Sequence, residues 1–145
     1  MGADKKLMPS KEYFSQALAE QIQSSYEEKK SYAIIWCANG LPCGHSNVNK
    51  IEFGNHAYMH LHLWNNTYRQ NGMGAVFVKM TLPYFFSNLK LQKLFCEPYA
   101  LNIAPNKTLE RVGFDFIKQY ITTPGAINFE QQVNLWEIRK EKFEV

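Results

Sequence analysis

Arg69-Gln70-Asn71-Gly72-Met73-Gly74 is the stretch that decides how this chain folds. The segment before it, residues 56–64, alternates as a strand does. Ala57, Met59, Leu61 and Leu63 point one way, and His56, Tyr58, His60, His62 and Trp64 point the other. The segment after it, residues 73–88, carries Val76, Phe77, Met80 and Tyr84 on one side, the pattern of a helix. Pro83 inside that helix should kink it or replace one backbone bond by local rearrangement. A strand that ends in a basic, glycine-containing turn at a helix start is a natural seat for a pyrophosphate. Glycines let the backbone approach closely, and the first helix amides point at the anion with the favourable end of the dipole. An ordinary strand-to-helix turn would use the same glycines for packing, so the pattern gains its weight from a second segment.

That second segment is residues 102–114, Asn102-Ile103-Ala104-Pro105-Asn106-Lys107-Thr108-Leu109-Glu110-Arg111-Val112-Gly113-Phe114. Pro105 suits the first turn of a helix and Gly113 its C-terminal cap. Together the two segments resemble the GNAT superfamily of acyl-CoA-dependent N-acyltransferases, and in particular the ribosomal-protein N-terminal acetyltransferases of the RimL/RimJ type. In that branch an R/Q-x-x-G-x-G/A loop grips the pyrophosphate of acetyl-CoA. An N-x-x-(S/P)-x-x-x-L-E-(K/R)-x-G-F element forms the helix beside the pantetheine arm. The likeness covers residues 30–120 in the right order.

The resemblance implies an α/β fold of GNAT type, with a central mixed, mostly antiparallel sheet flanked by helices. It implies an acetyltransferase that moves an acetyl group from acetyl-CoA to a primary amine by direct attack in a ternary complex. The acceptor would be a protein N-terminus or a small molecule. Cofactor binding would fall to Arg69, Gln70, Asn71, Gly72, Met73 and Gly74 for the pyrophosphate. Leu63 and Trp64 would polarise the thioester carbonyl through backbone amides, and Asn102 and Asn106 would face the pantetheine arm, Asn106 the better placed. Both asparagines also suit capping and turn roles.

Catalytic residues are less marked. The branch often carries glutamate in an A-E-x-G pattern on the strand, whereas this chain reads Ala57-Tyr58-Met59-His60. His60 and His62 share a face and titrate near neutrality, so either could take the amine's proton; either could equally be a hydrogen-bonded histidine of a sheet. Glu52 and Glu97 are the nearest acidic residues and have no motif behind them. For the thiolate's proton, Pro105 stands where relatives place serine and Leu109 where others place tyrosine. Thr108 or a water remains, and a thiol leaving group can depart unprotonated.

Two other readings are open. A non-enzymatic acyl-CoA-binding or interaction module would need no acid or base. A metal-binding protein would use His56, His60 and His62, with a fourth ligand such as His45; the expectation is that no metal is bound.

Composition bounds these readings. The 145 residues make one domain, residues 10–145 after a loose lead-in of 1–9, and 46% hydrophobic content is a globular value. A formal charge of +3 without a dense Lys/Arg stripe gives no case for nucleic acid. Cys37, Cys43 and Cys96 form an odd set without C-x-x-C spacing, which fits free thiols in a reducing compartment. No apolar run approaches the roughly 18 residues of a membrane span and the N-terminus lacks a signal-peptide core, so a cytoplasmic location is expected.

The remaining elements follow from local pattern. Ser10 caps a helix to about residue 25, with Phe14, Leu18 and Ile22 as its buried stripe. Residues 31–38 form a strand apolar on both faces, as a sheet covered on both sides requires. Asn39-Gly40 turns it back antiparallel from about Cys43, and residues 49–55 are a polar connection. Short strands follow at 93–97 and 114–121, and a last strand at 133–143. A first strand and helix of the usual GNAT pattern have no counterpart before Ser10. The sheet should therefore begin with an exposed edge or one covered by another chain, as in a homodimer.

Overall fold

The structure is a computed structural model, and it describes residues 6, 8, 10–64, 72–124 and 128–143. Asn39 and Gly40 both take positive φ (53° and 79°), the backbone that a two-residue hairpin turn needs. They join β1 (Tyr32–Ala38) to β2 (Leu41–Glu52), and β3 (His56–Leu63) returns antiparallel beside β2. A helix, α2 (Met73–Asn88), crosses over to β4 (Lys93–Cys96), which lies parallel to β3. Next come α3 (Ile103–Val112), β5 (Asp115–Thr122) and β6 (Gln131–Arg139). The six strands form one sheet in the order β1-β2-β3-β4-β6-β5, and only the β3/β4 pair is parallel.

The core lies between this sheet and α2 with α3. Trp36 stacks on Phe77 at 5.1 Å, and Val48, Met59, Leu94 and Ile138 from the strands meet Phe85, Leu89 and Leu109 from the helical side. Burial of each such side chain is worth about 1.5–3 kcal/mol. The helix α2 spans its full expected length through Pro83. Pro83 and Lys79, whose carbonyl loses its i+4 partner, are both exposed, so water can serve that group.

Several expectations change. The side of α2 that is buried holds Phe77, Val78, Thr81, Leu82, Phe85 and Phe86; Val76, Met80 and Tyr84 face solvent. Residues 49–52 belong to β2 and not to a connection, and 140–143 form a helical turn, α4 (Lys140–Phe143), after β6. The first helix, α1 (Lys11–Gln23), is capped by Ser10, whose side chain accepts from the Tyr13 N–H. Its stripe is not buried: Ile22 is 79% exposed, and Phe14 and Leu18 are exposed too. Nor is the sheet covered on both sides, since Ile35 on the face away from α2 is 51% exposed. Strand and helix periodicity fix which residues share a face. They do not say whether anything packs on that face.

Candidate active site

The site is built where β3 and β4 part. Their parallel pairing runs from His56↔Lys93 to Met59↔Cys96 and goes no further, because Pro98 cannot donate and the chain turns away after Glu97. Past that point β3 continues alone beside β2, and a cleft of about 150 Å³ opens between the strands. Met59, His60 and Leu61 line one wall; Cys96, Glu97 and Tyr99 line the other. Asn102 and Pro105 of α3 close one end.

Backbone donors in the cleft follow from the ladder. The Trp64 N–H donates to the Cys43 carbonyl at 2.8 Å, so this amide is committed to β2 and does not face the cleft. Alternation then sends the amides of His60 and His62 toward β2, and those of Leu61 and Leu63 toward the β4 side. Of the two amides expected to polarise a carbonyl, that of Trp64 is paired with β2, and that of Leu63 lies on the β4 side together with Leu61.

The glycine loop reaches α2 from the same end of β3. Arg69, Gln70 and Asn71 lie outside the described residues. Gly72 is the N-cap of α2 in the left-handed region (φ 71°), and no side chain caps the helix there. The first-turn amides have no intrahelical partner, and Gly72 has no side chain to cap them, which suits an anion. A Cβ on Gly72 would lie 3.7 Å from Arg111 Nη1, so a guanidinium from α3 stands beside this helix start. Sequence reasoning had given Arg111 no role, although it sits in the quoted segment. Gly74 lets α3 come close: a Cβ there would be 3.4 Å from Thr108 Oγ1. Met73 packs against the core and is not turned into the cleft by any described contact.

The asparagines divide differently from expectation. The Asn106 amide donates to the Tyr99 and Asn102 carbonyls (3.1 and 2.8 Å), and its oxygen accepts from Asn134 Nδ2 and Trp136 Nε1 (2.9 and 2.8 Å). Its two donors hold the turn before α3 and its two lone pairs tie α3 to β6, so the amide is fully spent. Asn102 is the N-cap of α3 but makes no side-chain capping bond, and it lines the cleft.

Two titratable groups face the cleft. His60 is held by Asn49 Oδ1, 3.1 Å from its Nε2. Burial first, then the charges of Lys50 and His45, lower its pKa to about 4. The imidazole is thus neutral near pH 7. His62 is exposed, farther along β3, with its ring 6.1 Å from that of His45. His45 in turn accepts from Trp64 Nε1 at 2.9 Å. Glu97 is 8% exposed, and its Oε2 has no hydrogen-bond partner. Burial raises the Glu97 pKa, against the opposing pull of Lys50 and Lys118. A carboxylate with one buried oxygen left without a hydrogen bond, and its pKa raised, is a poised proton acceptor. Its only sequence signal was an acid between an apolar strand and Pro98. Glu52 points elsewhere, 3.6 Å from His56 Nδ1 at the far end of β3. Among the described residues no cluster of three or more His, Cys, Asp or Glu is arranged to hold a metal ion.

Residues 2–115 match the acetyltransferase (GNAT) domain family. The chain belongs to that family. Solved acetyltransferases share the GNAT fold at low identity. A spermidine N-acetyltransferase from Vibrio cholerae in complex with CoA and spermine superposes with a TM-score of 0.77 at 16% identity, covering 95% of this chain and 80% of that one. RimJ of Mycobacterium smegmatis in complex with CoA-disulfide gives 0.74 at 14% identity, covering 90% and 61%. Aminoglycoside acetyltransferase AAC(6')-Ib with coenzyme A and kanamycin gives 0.70 at 16%, covering 92% and 76%. No curated protein sequence matches the chain. These likenesses establish the fold and leave the RimL/RimJ branch undecided. No helix among the described residues is long and apolar enough to cross a membrane.

Proposed function

We propose that this GNAT domain transfers an acetyl group from acetyl-CoA to an amine in a ternary complex formed across the β3/β4 cleft. The observation that carries this reading is the cleft itself, which opens at the end of β3 that leads to the Gly72 start of α2. Neighbours of this fold hold CoA together with spermine or kanamycin. Here the pyrophosphate would rest on residues 69–74 and the α2 amides, with Arg111 adding a positive charge. The pantetheine arm would lie along the end of β3, near Asn102, and the thioester carbonyl would face the β4 side of β3, where the Leu61 amide points. Donors aimed at the developing oxyanion stabilise the tetrahedral intermediate.

Because α2 and α3 occupy one face of the sheet, the cofactor enters from that face. The acceptor then comes from the helix-free face, where His60 and Glu97 stand. Glu97 takes the amine's proton and passes it to solvent; His60, neutral and fixed by Asn49, orients the amine as it arrives. His62 lies farther out, where it could only serve through water. The departing thiolate takes its proton from water or Thr108.

The reading is tested by calorimetry with coenzyme A and by acetyl-CoA turnover with amines. Gly72→Asp places a carboxylate and a Cβ at the helix start and should weaken coenzyme A binding at least tenfold, with Arg111→Ala following in the same direction. Wild-type affinity in Gly72→Asp would refute the pyrophosphate seat.

A further inference from the structure

The helix-free face around the cleft carries several acids, and among the described residues all but Glu97 are paired: Glu137 with Arg139 (2.8 Å), Asp115 with Lys142 (2.8 Å), and Glu52 with Asn55 and His56 (3.1 and 3.6 Å). Lys50 sits in the β2 bulge between Asn49 and Glu52, at a positive φ of 47°, and the bulge sends its ammonium over the Tyr58 ring, 5.1 Å from the centroid. Lys118 on β5 lies over the Tyr120 ring at 4.8 Å. The register sets Glu97 and Lys118 in a row. Cys96 pairs with both Met59 and Trp136, so Glu97 falls beside His60 on one flank and Leu135 on the other, and Leu135 pairs with Lys118. Lys118 is thus about two strands from Glu97, roughly 10 Å away; Lys50 stands on the other flank, three residues along β2 from Asn47, and reaches over the Tyr58 ring. Neither lysine forms an ion pair with that carboxylate among the described residues, and both are exposed. The segments 65–71 and 125–127 contain no Asp or Glu, so they bring no further carboxylate to the site.

A polyamine or aminoglycoside would meet two ammonium groups without an ion-pair partner for one such carboxylate there. An amine tethered to an anion would find a partner for each end. We propose that the acceptor of this domain is an amino-carboxylate, or an amine with a comparable anionic group about 5–7 Å from the nitrogen, its anion held by Lys50 or Lys118 while its nitrogen is received by Glu97. This rests on the acetyl-transfer reading. In the step itself the neutral nitrogen attacks the thioester carbonyl carbon and the C–S bond breaks. Sulfur leaves as the CoA thiolate and is protonated by water, and the proton lost by nitrogen goes to Glu97.

A matched pair of probes isolates the charge: 5-aminopentanoate and 1,5-diaminopentane have the same chain length and differ at the far end. Coenzyme A release should show kcat/KM at least about tenfold higher for the amino acid. Lys50→Glu combined with Lys118→Glu should reverse the order, and Lys50→Asn, suited to the left-handed backbone, should reduce the preference without risk to folding. Equal or better use of the diamine by the wild type would overturn the proposal. If coenzyme A binds but neither amine turns over, saturation-transfer NMR on the coenzyme-loaded protein reads the same preference. Binding of 5-aminopentanoate that weakens in the lysine variants supports it, and diamine binding of equal strength, or no binding of either, sinks it. Absence of coenzyme A binding in calorimetry would remove the acetyl-transfer reading, and this inference with it.

Discussion

At the scale of single residues, the site turns on two groups that burial pushes in opposite directions. The raised pKa of Glu97 means that its carboxylate form, the form that accepts a proton, is lost at a higher pH than for an ordinary glutamate. Turnover should therefore fall on the acid side above the usual carboxylate range. Glu97→Gln should lower kcat by about 10²–10⁴ with coenzyme A affinity kept; an unchanged rate would take Glu97 out of the mechanism. His60 acts on stability. Its folded pKa is about 4 against 6.5 for the free side chain. As pH falls from 6.5 toward 4 the unfolded chain binds this proton and the folded chain does not, so stability drops across that window. The loss is about 2 kcal/mol relative to His60→Gln, measurable by urea unfolding at pH 7 and pH 4.5. His60 stood out in the sequence because imidazole titrates near neutrality. Its neighbours decide otherwise, and Asn49, Lys50 and His45 come from another strand.

At the scale of elements, β2 and β3 approach so closely that one position admits no side chain. A Cβ on Gly44 would lie 2.6 Å from the His62 carbonyl oxygen and 2.8 Å from the Trp36 ring. The oxygen belongs to backbone, so relief would require β3 to shift beneath the Trp36–Phe77 stack. Gly44→Ala should cost about 1–3 kcal/mol in chemical denaturation. The opposite holds for α1. Its apolar stripe lies in solvent, and Leu18→Lys should change stability by no more than about 0.5 kcal/mol. A larger loss would mean that the stripe is covered in solution. The turn, caps and periods of these elements were legible because they depend on near neighbours. The Asn39-Gly40 turn, the Ser10 cap and the Gly113 cap (φ 109°) all fall where the residues place them.

For the whole molecule, a ligand that binds the folded chain alone should stabilise it by mass action. Coenzyme A at about 100 times its dissociation constant should add about 2.7 kcal/mol and raise Tm by several degrees, an effect that Gly72→Asp should largely abolish in differential scanning calorimetry. The sequence by itself determined the order of strands and helices and the family, through residues 69–74 and 102–114. Those depend on periodicity, turn chemistry and motif spacing, all local along the chain. Only the tertiary structure decided that Glu97 enters the cleft, that Arg111 stands by the α2 start, that Asn106 spends its amide internally, and that one sheet face stays open. Each of those is a meeting of residues distant in sequence, fixed by strand register and by which surfaces find a partner to pack against.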